Sequence, residues 1–266
     1  MNNPEKKAFD YYKDKGWEID GEFTIDAIGC EDLRKNSQEY VSKCRMRVFE
    51  HIPKSGKYIL DMASGPIQYP EYLEFSKNFE KRYCVDLSEK ALEGAKEKLG
   101  DRGNYLNGSF FDLKIEDNFF DCAISLHTIY HMDQDKQAEA VRKLIKVTKP
   151  GKPIIIVYSN PNTFTSALST TWKFLKAIKS LVVKPPEQDL YFFYHPNKWW
   201  LQFSDEAEVN YYPWRSFSSS YQKKLIPAGP MGKLLLKKLY AWEETYPNFF
   251  VNHFQYPMIV LTKKTT

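Results

Sequence analysis

The stretch Lys57-Tyr58-Ile59-Leu60-Asp61-Met62-Ala63-Ser64-Gly65-Pro66-Ile67-Gln68-Tyr69-Pro70 decides the fold. An apolar run closed by one acid and a small-residue turn reads as the first strand of an α/β sheet followed by a ligand loop. Ala63, Ser64 and Gly65 carry little or no side chain, so a ligand can come close to the backbone. A helix expected from Pro70 to Phe79 aims its free N–H groups at that turn.

Two ligands suit such a turn, a dinucleotide or S-adenosylmethionine. The dinucleotide fingerprint needs three glycines at fixed spacing, and only Gly65 is present. An amino-acid ligand with a sulfonium is more forgiving of the glycines and needs a nearby carboxylate for its ammonium, which Asp61 supplies. A plain strand-to-helix turn, with Asp61 starting the helix, is the competing reading. Lys81-Arg-Tyr-Cys-Val-Asp86-Leu87-Ser88 follows as a second strand, and its Asp86 is placed to take both ribose hydroxyls. Ser88 is the better N-cap for a helix Glu89 to Leu99, which leaves Asp86 for the ligand. Asn104 to Phe111 reads as a third strand, with Phe110-Phe111-Asp112 suited to stack on and hydrogen-bond an adenine. Asn118 to His131 reads as a fourth strand running into a loop that holds His127, Tyr130 and His131.

Asp61-Met-Ala-Ser-Gly65, Val85-Asp86-Leu87-Ser, Phe111-Asp112 and Phe120-Asp-Cys-Ala-Ile-Ser125-Leu126-His127 together resemble the successive motifs of the class I S-adenosylmethionine-dependent methyltransferases. The resemblance covers residues 57 to 158 well and the rest loosely. It departs from the family pattern at the first and third glycine positions, which are Ala63 and Ile67. It implies a doubly wound, seven-stranded, mostly parallel sheet of Rossmann-like type, with N-terminal helices and a helical cap inserted after the fifth strand. The implied cofactor is S-adenosyl-L-methionine, leaving as S-adenosyl-L-homocysteine, held by Asp61, Ala63, Ser64, Gly65, Asp86, Leu87, Phe111, Asp112, Ser125 and Leu126. The tetrapeptide that marks the amino-purine and glutamine methyltransferases is replaced here by Ser125-Leu-His-Thr128, which argues against that branch.

Alternation of strands and helices from Tyr58 to the fifth strand, Pro153 to Tyr158, fits βαβ units whose carboxyl ends carry the site. Asp61, Asp86, Asp112 and His127 all fall at such ends. Helix Lys136 to Thr148, stopped by Lys149-Pro-Gly, is scaffold. The division expected is a helical lid over 1–56, a cofactor domain over 57–158 and 195–266, and a cap insertion over 159–194. In the lid, helices are expected at Glu5 to Lys15 and Glu31 to His51 with a loop between; Tyr11, Tyr12, Tyr40 and Arg45 are its substrate candidates, as are Tyr194 and His195 after the insertion. His195 opens a further helix. Glu208 to Phe217 and Pro257 to Thr262 complete the sheet, and helix Lys233 to Thr245 carries Leu234, Leu235, Leu239 and Trp242 on one face.

The insertion holds Phe164, Leu168, Trp172, Leu175, Ile178 and Val182 at helical spacing among lysines. Three uses compete for this basic amphipathic helix: a pocket cap, a peripheral membrane contact through 164–182, or a partner surface. With 38 basic against 34 acidic residues the net charge is only +4, too little field to argue for nucleic acid. Cys30, Cys44, Cys84 and Cys122 show no CxxC spacing and read as reduced and buried. Met1 to Asp20 lacks the order of a signal peptide and no run spans a bilayer, so a cytoplasmic location is the expectation.

Methyl transfer from a sulfonium asks for alignment of acceptor and methyl and, for a hydroxyl or ammonium, removal of a proton. His127 and His131, with Tyr130 between them, are the catalytic candidates, because histidine titrates near neutrality. With 16% aromatic residues, the aromatic, mildly basic cap favours a small or medium organic acceptor; the composition does not name the acceptor atom, and oxygen or nitrogen is expected ahead of carbon. No metal is expected, since His131 and Asp133 alone make no site. Two other classes remain as alternatives: an inactive cofactor-binding protein acting through its amphipathic helix, and a dinucleotide oxidoreductase.

Overall fold

A computed structural model of the chain describes residues 4–12, 16–20, 23–164 and 190–265. Seven strands form one sheet in the order β5-β4-β3-β6-β7-β9-β8, where β3 is Gly56–Met62, β4 Phe79–Asp86, β5 Gly103–Asn107, β6 Cys122–Leu126, β7 Pro153–Val157, β8 Ala207–Arg215 and β9 Tyr256–Lys263. β3 to β7 pair in parallel, and β9 runs antiparallel to both β7 and β8. β8 therefore points the same way as β3 to β7, so its carboxyl end and the start of β9 share one edge with Asp61 and Asp86.

The pleat explains the two cores. Leu60 and Met62 of β3 face one layer with Ile154, Ile156 and Val141. Ile59 faces the other, with Cys122, Ile124, Ile155 and Val48. Strands buried on both faces read as unbroken apolar runs, as Pro153-Ile-Ile-Ile-Val does. Ser88 caps α5 (Glu89–Leu99), its hydroxyl accepting from Ala91 N at 3.2 Å. α6 (Gln137–Val147) buries Ala140, Val141, Leu144 and Ile145.

Several expected boundaries move. α4 (Pro70–Glu74) ends early because Phe79 already pairs with Gly56 in the sheet. The third strand stops at Asn107, where Gly108 takes φ 139°, and Phe110 to Asp112 lie in the following turn. The loop expected over 16–29 holds instead a short hairpin, β1 (Ile19–Asp20) with β2 (Phe23–Thr24), and helix α2 (Ile25–Cys30), after α1 (Pro4–Tyr11). The next helix, α3, begins only at Gln38 and runs to Glu50. Asp32 holds the preceding turn: it accepts from Ser37 Oγ at 2.7 Å and from Arg34 Nε at 2.8 Å. Cys44, Cys84 and Cys122 are buried, but Cys30 is exposed at the end of α2, which corrects the expectation for that thiol.

After β7 the cap insertion lies mostly outside the described residues. A 3-10 segment, Asn197–Phe203, replaces the helix expected at His195. Three helices follow β8 or precede β9: α7 (Ser219–Leu225), α8 (Pro230–Thr245) and α9 (Pro247–His253). On α8 the residues turned inward are Gly232, Leu236, Leu239 and Glu243. Leu234, Leu235 and Trp242, expected to share a face with Leu239, are exposed. No helix among the described residues is long and apolar enough to cross a membrane.

Candidate active site

The glycine loop keeps the backbone that a ligand cradle needs, although two of its glycines are replaced. Gly65 has φ 55°, and Ala63 and Ile67 adopt φ 58° and 51° in the same left-handed region. A Cβ carries a penalty of roughly 1–2 kcal/mol there. The packing of Ile67 with Cys84, Leu92 and Ala95 holds it in that conformation. A side chain on Gly65 would meet the Trp17 ring at 2.9 Å, so that ring lies directly over the loop.

Asp86 ends β4 and closes the loop: Oδ2 accepts from Gly65 N and Oδ1 from Ser88 N, both at 2.9 Å. Burial raises its pKa to about 6, against the opposing pull of those two N–H groups. Asp61 is also buried. Its Oδ2 takes Arg82 Nη2 at 2.5 Å and Nε at 3.1 Å, and Arg82 Nη1 is satisfied by Tyr72 O. The carboxylate expected for a ligand ammonium is therefore shared with an internal guanidinium, while Asp61 still lines the cavity.

Two hollows meet at this edge. A slot of about 100 Å³ lies between Met62, Val85, Leu87, Phe110, Phe111 and Met132, with Asp133 and Lys136 at its polar side. Its apolar walls suit an adenine ring. A larger cavity of about 400 Å³ lies beside it, and Ala63, Asp86, Leu87, Thr128 and His131 line both. Ser64, Gly65 and Leu126 line the larger cavity. Asp112 is exposed and outside the slot, where Asp133 is the acid instead. Ser125 is fully buried, with its hydroxyl unpartnered and outside both hollows.

Among the catalytic candidates, His127 and Tyr130 line the cavity and His131 lines slot and cavity alike. His127 sits at φ 59°, a strained position for a side chain at a strand end. Its Nδ1 lies 3.1 Å from Tyr130 Oη, and its ring packs edge-on against Trp214 at 4.4 Å. Burial, reinforced by the Arg215 guanidinium, holds its pKa well below the ordinary value, so it is a neutral imidazole at neutral pH. His131 is pinned through Nδ1 to Tyr191 O at 2.9 Å, and burial lowers its pKa to about 4. It lines slot and cavity with its ring held by that hydrogen bond.

Of the substrate candidates, Tyr12 and Tyr194 line the cavity. Tyr11 packs edge-on against Tyr12 at 5.0 Å, outside the lining. Arg45 stands behind the wall, 3.5 Å from the Tyr69 ring centre and 3.2 Å from Glu31. Tyr40 turns away: its hydroxyl donates to Glu243 at 2.6 Å within a separate core. His195 stacks on Trp199 at 4.2 Å and lies outside the cavity lining.

The rest of the wall was not picked out from sequence. Trp17 stacks on Tyr12, with ring centres 4.9 Å apart. Tyr69, Tyr72 and Tyr256 add rings, Asp26 and Glu31 add acids, and Arg215 pairs with Glu31 at 3.0 Å. Burial lifts Asp26 to about 6, although the Tyr12 hydroxyl donates to it. Arg215 and Tyr256 could have been found by asking what the sixth and seventh strands bring to the shared edge.

Residues 60–156 match a family model described as a methyltransferase domain. This core is thus similar to a methyltransferase domain, in keeping with the motifs at Asp61, Asp86 and Phe120 to His127. An uncharacterised methyltransferase from a Geobacillus strain is 26% identical over 103 residues, 38% of this chain and 47% of that protein, so the chain matches about half the length of this curated relative. The magnesium protoporphyrin IX methyltransferase of Synechocystis, solved with bound S-adenosylhomocysteine, superimposes with a TM-score of 0.57 at 12% identity, over 98% of this chain and all of that one. The [4+2]-cyclase SpnF does so with a TM-score of 0.58 at 14% identity, over 100% and 98% of the two chains. At such identities the likeness is one of fold, and the chemistry has to be argued from this chain's own residues.

Proposed function

We propose that the protein transfers a methyl group from S-adenosylmethionine to oxygen or nitrogen of a small or medium-sized organic acceptor. The observation that carries this is the adjacency of slot and cavity: the adenine-sized slot shares Ala63, Asp86, Leu87, Thr128 and His131 as walls with the larger cavity, which holds the glycine loop and a neutral His127 among aromatic rings.

The cofactor's residues fit this space. Asp86 would accept the ribose hydroxyls with the lone pairs left by Gly65 N and Ser88 N, Phe110 and Phe111 would flank the base, and Asp61 would face the ammonium. When bound, the cofactor supplies an electrophilic methyl on a sulfonium. Displacement is in line, so the chain's task is alignment and dryness. Trp17 lies over the loop with Tyr12 stacked on it, which would keep water from the methyl when the cofactor is bound. His127 takes the proton of the acceptor's hydroxyl or ammonium, and Tyr130 Oη fixes the ring through Nδ1. A neutral imidazole is the form able to accept a proton, and the buried Arg215 nearby helps keep it neutral.

A screen of small hydroxyl and amine acceptors with methyl-labelled S-adenosylmethionine tests the reading. Label in the acceptor, and loss of that label in His127→Asn, support it. Tight cofactor binding without transfer to any acceptor would count for a binding or interaction module instead.

A further inference from the structure

Helix α8 carries a second apolar row besides the one it buries. Met231, Leu235 and Trp242 recur at i, i+4 and i+11, with Leu234 beside them, and are 62%, 37%, 56% and 50% exposed respectively. Tyr246 and Phe249, at 60% and 47%, carry the row on to α9. The adjoining face is fixed to the body of the protein: Glu243 is fully buried and accepts from Arg47 Nη1 at 2.9 Å. The exposed row is therefore held outward by a rigid anchor.

The charge around the row is one-sided. From Val209 to Trp242 the chain has no Asp or Glu, while Lys223, Lys224, Lys233, Lys237 and Lys238 fall within it. Lys233 pairs with Glu39 at 3.2 Å. Lys223, Lys224, Lys237 and Lys238 are exposed and have no carboxylate partner among the described residues. The acids that follow on the helix, Glu243 and Glu244, are both bound by Arg47.

We propose that this face docks the protein on an anionic lipid surface, with Leu234, Leu235, Met231 and Trp242 entering the headgroup region and the lysines meeting lipid phosphates. Leu, Met and Trp in a row flanked by unpaired lysines is the make-up of an interfacial helix. A second copy of the same face would set lysine against lysine. So would the chain's own segment 165–189, which carries Lys173, Lys176, Lys179 and Lys184.

The test is sedimentation of the full chain with vesicles of phosphatidylcholine alone and of phosphatidylcholine mixed with phosphatidylglycerol. Binding to the mixed vesicles should exceed binding to the neutral ones by at least about tenfold and fall with added salt. Leu234→Glu with Trp242→Glu, and separately Lys237→Glu with Lys238→Glu, should each lose that binding while the melting temperature stays unchanged; all four residues are exposed, so the fold should survive. Equal binding to neutral vesicles, no binding to either, or variants that bind as wild type would overturn the proposal. So would a dimer on gel filtration that the same variants dissociate, or binding to polyglutamate in place of vesicles.

Discussion

The Asp61 carboxylate and the Arg82 guanidinium form a buried pair 2.5 Å apart at the base of the cofactor loop. Burial raises the Asp61 pKa and Arg82 opposes it, so the acid depends on its partner to stay charged. Arg82→Met should leave an uncompensated carboxyl under the loop and cost about 3–5 kcal/mol of stability. Chemical denaturation measures it; a loss below about 1 kcal/mol would mean that the pair contributes little.

Glu243 joins α8 to α3 and to the end of β8, accepting from Arg47, Tyr40 and the Ser216 backbone at 3.2 Å. Glu243→Ala takes from Arg47 its fully buried partner, leaving it Glu244 and Trp214 O, and leaves the Tyr40 hydroxyl and Ser216 N–H without their acceptor, and about 3–5 kcal/mol of stability should be lost. An unchanged denaturation midpoint would contradict that role.

Asp86 titrates differently folded and unfolded. Its folded pKa is about 6 against an ordinary value of 3.8, so between those pH values the folded state holds more of this proton than the unfolded chain. Its contribution to stability is therefore favourable at the acid end and is lost as pH rises through about 6. Cofactor binding runs the other way, because ribose hydroxyls need the ionised acceptor. The dissociation constant for S-adenosylmethionine should rise about tenfold for each pH unit well below the Asp86 pKa. Titrations across that range check it, and flat affinity would show the ribose anchor to be elsewhere. Asp86→Ala should abolish binding.

His127 holds a left-handed backbone, so the fair substitution is asparagine, which tolerates that region. His127→Asn should spare cofactor affinity and slow methyl transfer by about 10²–10⁴-fold. Tyr130→Phe removes only the hydroxyl that orients Nδ1 and should slow transfer less. Equal rates for His127→Asn and wild type would remove the histidine from the proton path.

Much of this was legible from local pattern. β3, β6 and β7 hold short apolar runs, acids stand at the ends of β3 and β4, and Ser88 stood out as the cap of α5, as the structure has it. What escaped was set by contacts distant in sequence. Tyr40 looked like a lid residue until Glu243, 203 residues away, took its hydroxyl. Arg82 gave no sign that it would claim Asp61, because the pairing depends on strand register: Asp61 sits beside Cys84 and Leu60 beside Tyr83 in the parallel ladder. The hairpin and α2 were hidden because such short elements carry no period. On α8 the apolar residues are spread around the helix, so sequence alone did not tell the buried row from the exposed one.

The most direct measurement is isothermal titration of the full chain with S-adenosylmethionine and, separately, S-adenosylhomocysteine. The account predicts one site with micromolar affinity, about −8 kcal/mol, for both, and none in Asp86→Ala. No heat with either ligand, or tight binding of NAD in their place, would contradict it.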